Sequence, residues 1–520
     1  MSFQYPDTMP PLSLNVPKQT EMSGVELNES LLRHWIKRLP ENNLTVFVSL
    51  YLDALQRFNT NQLDHKQRLR LLDIYRQPLN QLVFRLSREK LRSHIPDPKQ
   101  RTALISNFTQ LLSELATGYK IVIVEANKTQ SNLKLAPIAQ LAINRVCEQL
   151  SYIVLHTYKF YRTPPARVFH NLHQLYQLTL TSAVEQIIPI VESDLRATLS
   201  FKDLYSQLML VSICNPYGLH SEKVLDTYQL MATLASEADI SPLPPTTKAR
   251  PGHFYINCLS DRIPIPSVLP MTENQTQPPA LIFNTKPILN LVDTLFQQAK
   301  KTETPEVDIN LLKQLSPFLN TSYERRQIRV PVTGNKQAYL ACGIETVHAC
   351  LTLSDPLPNN NEPALNSAWD ILNKNRSGYL ISQVLTESSP AHSVAIGDFI
   401  GIFEPGLTGK KPLARVGFIH WMRIDKHDKI KIGLSLIEGD AVSVQYSTDN
   451  SPISKSGLFL PEIHRIQQAA SLITEIGAFV PNTKIEIIPK KKRFSFSLLT
   501  AYLLSQGNNY QHFTLKEPLS

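Results

Sequence analysis

The sequence predicts a multidomain α + β protein, with an N-terminal all-α domain of stacked helix pairs followed by a C-terminal antiparallel β-barrel. Three observations carry that prediction. Of 17 glycines in 520 residues, only Gly24, Gly118, Gly218 and Gly252 precede residue 320, and glycine is costly inside helices but useful in turns and bulges. The first half has apolar residues at three- and four-residue spacing, whereas the chain from about 328 onward alternates with a period of two.

The elements follow in order. Residues 1–25 are expected to be a disordered N-terminus, and 26–240 a helical scaffold domain. Within it, Phe47, Leu50, Tyr51, Ala54, Leu55 and Phe58 form one apolar stripe. Leu72, Tyr75, Leu79, Leu82, Val83 and Leu86 form a second, with Pro78 as a kink or a new start. Phe169, Leu172, Tyr176, Leu180 and Ala183 form a third, and Leu225, Tyr228, Met231 and Leu234 a fourth. Asn215-Pro216-Tyr217-Gly218 has the composition of a corner between two helices.

Residues 241–281 contain nine prolines and are expected to form a linker, with a short strand at Phe254–Leu259 inside it. A connecting helical segment, 282–320, leads to the barrel, 321–455. Its plainest strands are Gly378–Val384, Ala414–Trp421 and Ile430–Leu436. Residues 456–520 are expected to be a β-rich C-terminal extension, either completing the barrel or forming a small domain of their own.

Composition narrows the function. The chain is 42% hydrophobic and 19% charged, the balance of a globular protein. No secretory leader and no apolar run long enough to cross a membrane is visible, which predicts a cytoplasmic protein. The five cysteines, Cys147, Cys214, Cys258, Cys342 and Cys350, are scattered and form no CxxC pair, so neither zinc nor a disulfide framework is expected. No HExxH set or nucleophile–base arrangement stands out, and the chain is not expected to be an enzyme. The net charge of +9 favours an anionic partner. The basic run Lys490-Lys491-Lys492-Arg493 lies between strand-like stretches and is expected to be a solvated loop, which disfavours nucleic acid.

Two segments carry a more specific signal. Glu324-Arg325-Arg326-Gln327-Ile328-Arg329 precedes the first barrel strand, and about 45 residues later comes Asn373-Lys374-Asn375-Arg376-Ser377-Gly378. Together they resemble the PilZ family, whose signatures are RxxxR and, on the barrel wall, [DN]xSxxG. Arg325 and Arg329 fit the first pattern, with Arg326 between them. Asn373, Asn375 and Gly378 fit the second, with asparagine where the family has serine. The strands Gly397–Gly401, Val416–Trp421 and Ile432–Leu436 continue the resemblance, which covers roughly 320–445.

The resemblance implies a bacterial PilZ-type barrel that binds cyclic di-GMP, with no other cofactor and no metal. An arginine fork can hold phosphate oxygens bidentately and stack its plane on guanine. Asn373 and Asn375, two apart on one strand, would share a face and hydrogen-bond the ligand. Neither a GGDEF nor an EAL stretch is present, so synthesis or breakdown of the dinucleotide is not expected. The expected role is a second-messenger effector whose arginine lead-in doubles as an interdomain hinge and whose helical domain meets a protein partner. The alternative is a barrel that has lost its ligand and serves as a protein-interaction scaffold.

Overall fold

The computed structural model describes residues 14, 16–20, 26–88, 97–128, 135–181, 200–243, 250–267, 280–299, 301, 308–320, 330–334, 336–353, 368–386, 394–406, 412–448, 451–489 and 495–517. The chain divides into two compact units, 1–216 with 221–324, and 217–220 with 325–520.

The first unit is helical. Among the described residues it carries α1 (Glu29–Lys37), α2 (Leu44–Thr60), α3 (His65–Arg88), α4 (Pro98–Asn127), α5 (Pro137–Lys159), α6 (Val168–Thr181), α7 (Phe201–Ile213), α8 (Lys223–Leu234), α9 (Lys286–Ala299) and α10 (Ile309–Leu319). The sequence starts several of them with capping side chains. Asn28, Asn43, Asp97 and Asp308 accept hydrogen bonds from first-turn amides, and Ser200 with Asp203 forms a reciprocal capping box. Helix α4, about 45 Å long, packs against α2, α3 and α5 and buries Leu111, Leu112, Leu115 and Val122. The helix α3 continues through Pro78 rather than restarting there. Asn215, at φ +51°, begins the corner between α7 and α8.

A polar seam runs through this apolar packing. Arg76 pairs with Glu148 at 3.1 Å and approaches Asp73 at 3.5 Å, and Arg145 approaches Asp73 at 3.3 Å. The Tyr119 hydroxyl donates to Asp73 at 2.7 Å, and the Asn80 amide donates to Glu148 at 3.2 Å. The seam thereby ties α3, α4 and α5 together.

Two boundaries differ from the sequence reading. Residues 241–281, expected as a linker, hold most of a four-stranded antiparallel sheet. Its strands are β1 (Asp239–Pro242), β2 (His253–Asn257), β3 (Ile265–Pro266) and β4 (Ala280–Asn284), in the order β1-β4-β2-β3. Pro242 and Pro266 lie on the two edge strands, where a missing N–H costs no ladder bond, so the proline content that suggested a linker is compatible with a sheet. The expected disordered N-terminus lies mostly outside the described residues. Within it, however, Leu14 is buried, and Thr20 pairs with the end of α2, its N–H donating to the Thr60 carbonyl at 2.7 Å.

The second unit is built from two barrels. The first contains β5 (Val330–Pro331), β6 (Gln337–Cys342), β7 (Ala368–Asn375), β8 (Gly378–Val384), β9 (Phe399–Glu404), β10 (Leu413–Ile424) and β11 (Lys429–Leu436). Neighbours run β7-β6-β9-β10-β11-β8, and β8 pairs with β7 to close the ring, while β5 extends the edge of β7 beyond β6. Trp369, Ile371, Ile381, Ile419, Ile432 and Leu434 are buried along its strands.

The second barrel is closed in the order β12-β13-β14-β17-β16-β15. Its strands are β12 (Val442–Thr448), β13 (Ser451–Leu460), β14 (Ser471–Thr474), β15 (Lys484–Pro489), β16 (Phe496–Gln506) and β17 (Gln511–Lys516). The barrels therefore divide between Leu436 and Val442, not at 455. Thr448 of β12 pairs with Ser451 of β13, within the range expected to belong to the first barrel. The strands after residue 456 complete a second barrel that starts at Val442.

Helix α11 (Ile344–Thr352) lies where the barrels meet. Ala341, Val347, Phe399, Phe403 and Val416 of the first barrel and its helix share one apolar cluster with Leu458, Leu460, Ile473 and Tyr510 of the second. Polar contacts cross the same boundary. The Asn508 amide donates to the Ile396 carbonyl at 2.8 Å and to Asp398 at 3.1 Å, and Asn509 accepts from the Phe399 N–H at 3.0 Å.

Candidate functional site

The β7–β8 hairpin carries three of the six expected site residues. Asn375 stands opposite Gly378, with Arg376 and Ser377 as the two turn residues between them. Asparagine suits this place because its short side chain mimics a backbone turn. Its Oδ1 accepts from the Ser377 N–H at 3.1 Å and from the Ser377 hydroxyl at 3.2 Å. Gly378 opens β8 and pairs on its other side with Ser435 of β11. Asn375 thus has a turn-building job that its sequence position did not reveal.

Asn373 lies two residues back, after a register shift between Ile371 and Asn373. Its Oδ1 is buried without a hydrogen-bond partner among the described residues. An orphaned buried acceptor costs about 1–3 kcal/mol, so a donor supplied at this point would be rewarded. Strand β5 runs along the same edge, with Pro331 opposite Asn373 and Val330 opposite Lys374. The chain therefore joins the barrel beside Asn373.

Lys374, between the two asparagines, turns to the other side of the strand. Its ammonium group contacts both carboxylate oxygens of Glu404, at 2.8 and 2.6 Å, and lies over the Tyr379 ring. The Tyr379 hydroxyl donates to the same carboxylate. Burial first, and Glu404 second, push that phenol well above its usual range. This trio closes on itself and offers a ligand little. Arg376 is also engaged, pairing with Glu438 through Nε–Oε1 at 2.9 Å and Nη2–Oε2 at 2.9 Å.

Arg325, Arg326 and Arg329 lie outside the described residues, as do Lys490–Arg493. Arg329 immediately precedes Val330 of β5 in sequence, and the division between the two units falls at 324/325. Among the described residues no group of histidine, cysteine and carboxylate side chains could hold a metal ion, and no helix is long and apolar enough to cross a membrane. Cys147, Cys214 and Cys258 are buried, which raises each thiol far from a reactive state.

The sequence reading did not mark Trp421 as a site residue. It lies on β10 opposite Gly433 of β11. The signal was present in the glycine, since a Cβ at 433 would fall 2.0 Å from the indole Nε1. It becomes legible only once the strand register is known.

Comparison with known proteins bears on the two ends of the chain. Residues 30–246 match the family model of the cyclic-di-GMP receptor FimW N-terminal domain, and residues 441–517 match that of the FimW C-terminal β-barrel domain. The second match begins one residue before β12. The protein named cyclic-di-GMP receptor FimW of Pseudomonas aeruginosa is 28% identical over 181 residues, which cover 34% of this chain and 30% of that protein. The aligned part is thus about a third of either chain. No solved structure matches. In its helical front and its final barrel, in that order, the chain is similar to the FimW cyclic-di-GMP receptors.

Proposed function

We propose that this protein is a cyclic di-GMP receptor that binds the dinucleotide on the outer wall of its first barrel and signals to a protein partner through its helical unit. The observation that carries this is the pairing of Val330 and Pro331 with Lys374 and Asn373. It brings the chain that directly follows the three arginines alongside the unpartnered Asn373 Oδ1. Similarity at both ends of the chain to proteins named as cyclic-di-GMP receptors supports the ligand. In this reading Arg325 and Arg329 clamp phosphate or stack on guanine, Arg326 adds charge, and Asn373 hydrogen-bonds the ligand. Asn375 and Gly378 shape the hairpin beneath it. The barrel is PilZ-type, the role is binding rather than catalysis, and the setting is the cytoplasm. Because the arginines follow the division between the units, ligand binding would alter the link between them to the extent that it favours one state over another.

Calorimetric titration of cyclic di-GMP into the full chain tests the proposal. A charge-assisted hydrogen bond contributes about 1.5–3 kcal/mol, so Arg325→Ala or Arg329→Ala should each weaken binding about tenfold or more. A second reading draws on Asn375, whose carbonyl oxygen is occupied by the turn. In that reading the barrel is an interaction scaffold without a nucleotide. It predicts neither heat nor thermal stabilisation from the wild-type protein.

A further inference from the structure

The outer wall of the first barrel carries an aromatic feature in line with Asn373. Strand register aligns Asn373 with Leu380, Leu380 with Gly433, and Gly433 with Trp421, across β7, β8, β11 and β10. Side chains alternate along each strand, and directly paired residues share a face. The rows on either side, Ile371–Ile381–Ile432–Met422 and Lys374–Tyr379–Leu434–Ile419, follow the same ladders. Ile371, Ile381, Ile432, Met422, Tyr379, Leu434 and Ile419 in them are buried. The row from Asn373 to Trp421 therefore faces outward.

The indole in this row lies flat. A Cβ at Gly433 would meet Nε1 at 2.0 Å and Cδ1 and Cε2 each at 2.5 Å. Similar distances to three atoms of the five-membered ring mean that the ring lies face-on over the glycine. Trp421 nevertheless remains partly exposed, whereas Trp369 on the inner face is 2% exposed. One face of the indole is thus seated on the wall, and the ring keeps part of its surface open. The next outward row adds charge, with Lys431 paired to Arg423 across β11 and β10.

From the indole over Gly433 to Asn373 is two strand spacings, about 10 Å, a span that a ligand with a flat base at each end can bridge. We infer that Trp421, seated on Gly433, is the base platform of the binding wall. One guanine stacks on the indole, and Asn373 holds the opposite end of the dinucleotide. Stacking on an aromatic side chain is a strong, geometry-dependent contact for a purine. This inference rests on the receptor reading above.

The test is a titration of cyclic di-GMP into the full chain, followed by calorimetry and tryptophan emission. Trp421→Ala should bind about tenfold more weakly or worse. Trp421→Phe keeps a stacking ring and should stay within about threefold of wild type. Ligand should quench wild-type emission, and the quench should vanish in Trp421→Phe, which retains Trp35 and Trp369. That second readout does not depend on whether Trp421→Ala folds. If Trp421→Ala, with an unchanged thermal transition, binds like wild type while Asn373→Ala binds weakly, the platform is wrong and the receptor site stands. An unaltered quench in Trp421→Phe would also sink the platform. If wild type shows no binding, both readings fall together.

Discussion

His173 has both ring nitrogens committed inside the helical unit. Nε2 is 2.8 Å from the Arg262 carbonyl, which can only accept, so Nε2 carries the proton, and Nδ1 accepts from the Tyr205 hydroxyl at 2.7 Å. Burial pulls this imidazole down to about 4, and that of His156 to about 3. An unfolded histidine titrates near 6.5. Below that pH the unfolded chain takes up protons that the folded chain refuses. Stability present above pH 6.5 is therefore lost as pH falls toward 4, by up to about 1.4 kcal/mol per pH unit for each such histidine. Urea midpoints between pH 7 and pH 5 should fall steeply for wild type and less steeply for His173→Gln. Equal slopes would remove His173 from the explanation. Gly433→Ala belongs to the same scale, because its new methyl must displace the Trp421 ring. It should move the tryptophan emission maximum without unfolding the barrel.

Elements are held by features of two kinds. In the helical unit, Glu148 of α5 receives Arg76 and Asn80 of α3, and Arg76 is almost wholly buried. Glu148→Ala removes one of that cation's two carboxylates and leaves Asp73, so it should cost about 1–3 kcal/mol, read from chemical denaturation. In the first barrel, β10 and β11 approach closely at Gly417, where a Cβ would fall 2.1 Å from the Ser435 carbonyl oxygen. A backbone atom cannot step aside as a side chain can, so Gly417→Ala should cost about 1–3 kcal/mol, visible as a lower thermal midpoint. Much of this element plan is legible in the sequence, since the stripe Leu225, Tyr228, Met231 and Leu234 is the buried face of α8. The sheet at 239–284 is less legible, because prolines on edge strands and in linkers look alike to a reader of composition. At the site, the sequence identifies the hairpin from Asn373 to Gly378. It gives Asn375 and Asn373 equal standing, whereas one builds the turn and the other keeps an unmet acceptor. The outward row ending in Trp421 depends on the pairing of Leu380 with Gly433, 53 positions apart, which no local pattern encodes.

For the whole molecule, the shared core of Val347, Phe399, Leu458 and Tyr510 makes the two barrels one energetic body. Each strand set closes on itself, yet neither covers that cluster alone. They should unfold in a single transition, and a chain ended before Val442 should lose the first barrel's near-native circular dichroism and precipitate. Two separate transitions in calorimetry would mean that the cluster contributes little. The Asn508–Asn509 contacts have a consequence in time. These side chains hold the Ile396–Phe399 segment from 110 to 112 positions later in the chain. On a ribosome adding about 5–20 residues per second, the first barrel's strands emerge several seconds before the residues that fasten that segment. A nascent chain in that interval carries the first barrel's strands with the apolar flank that Leu458, Leu460, Ile473 and Tyr510 cover still open to water.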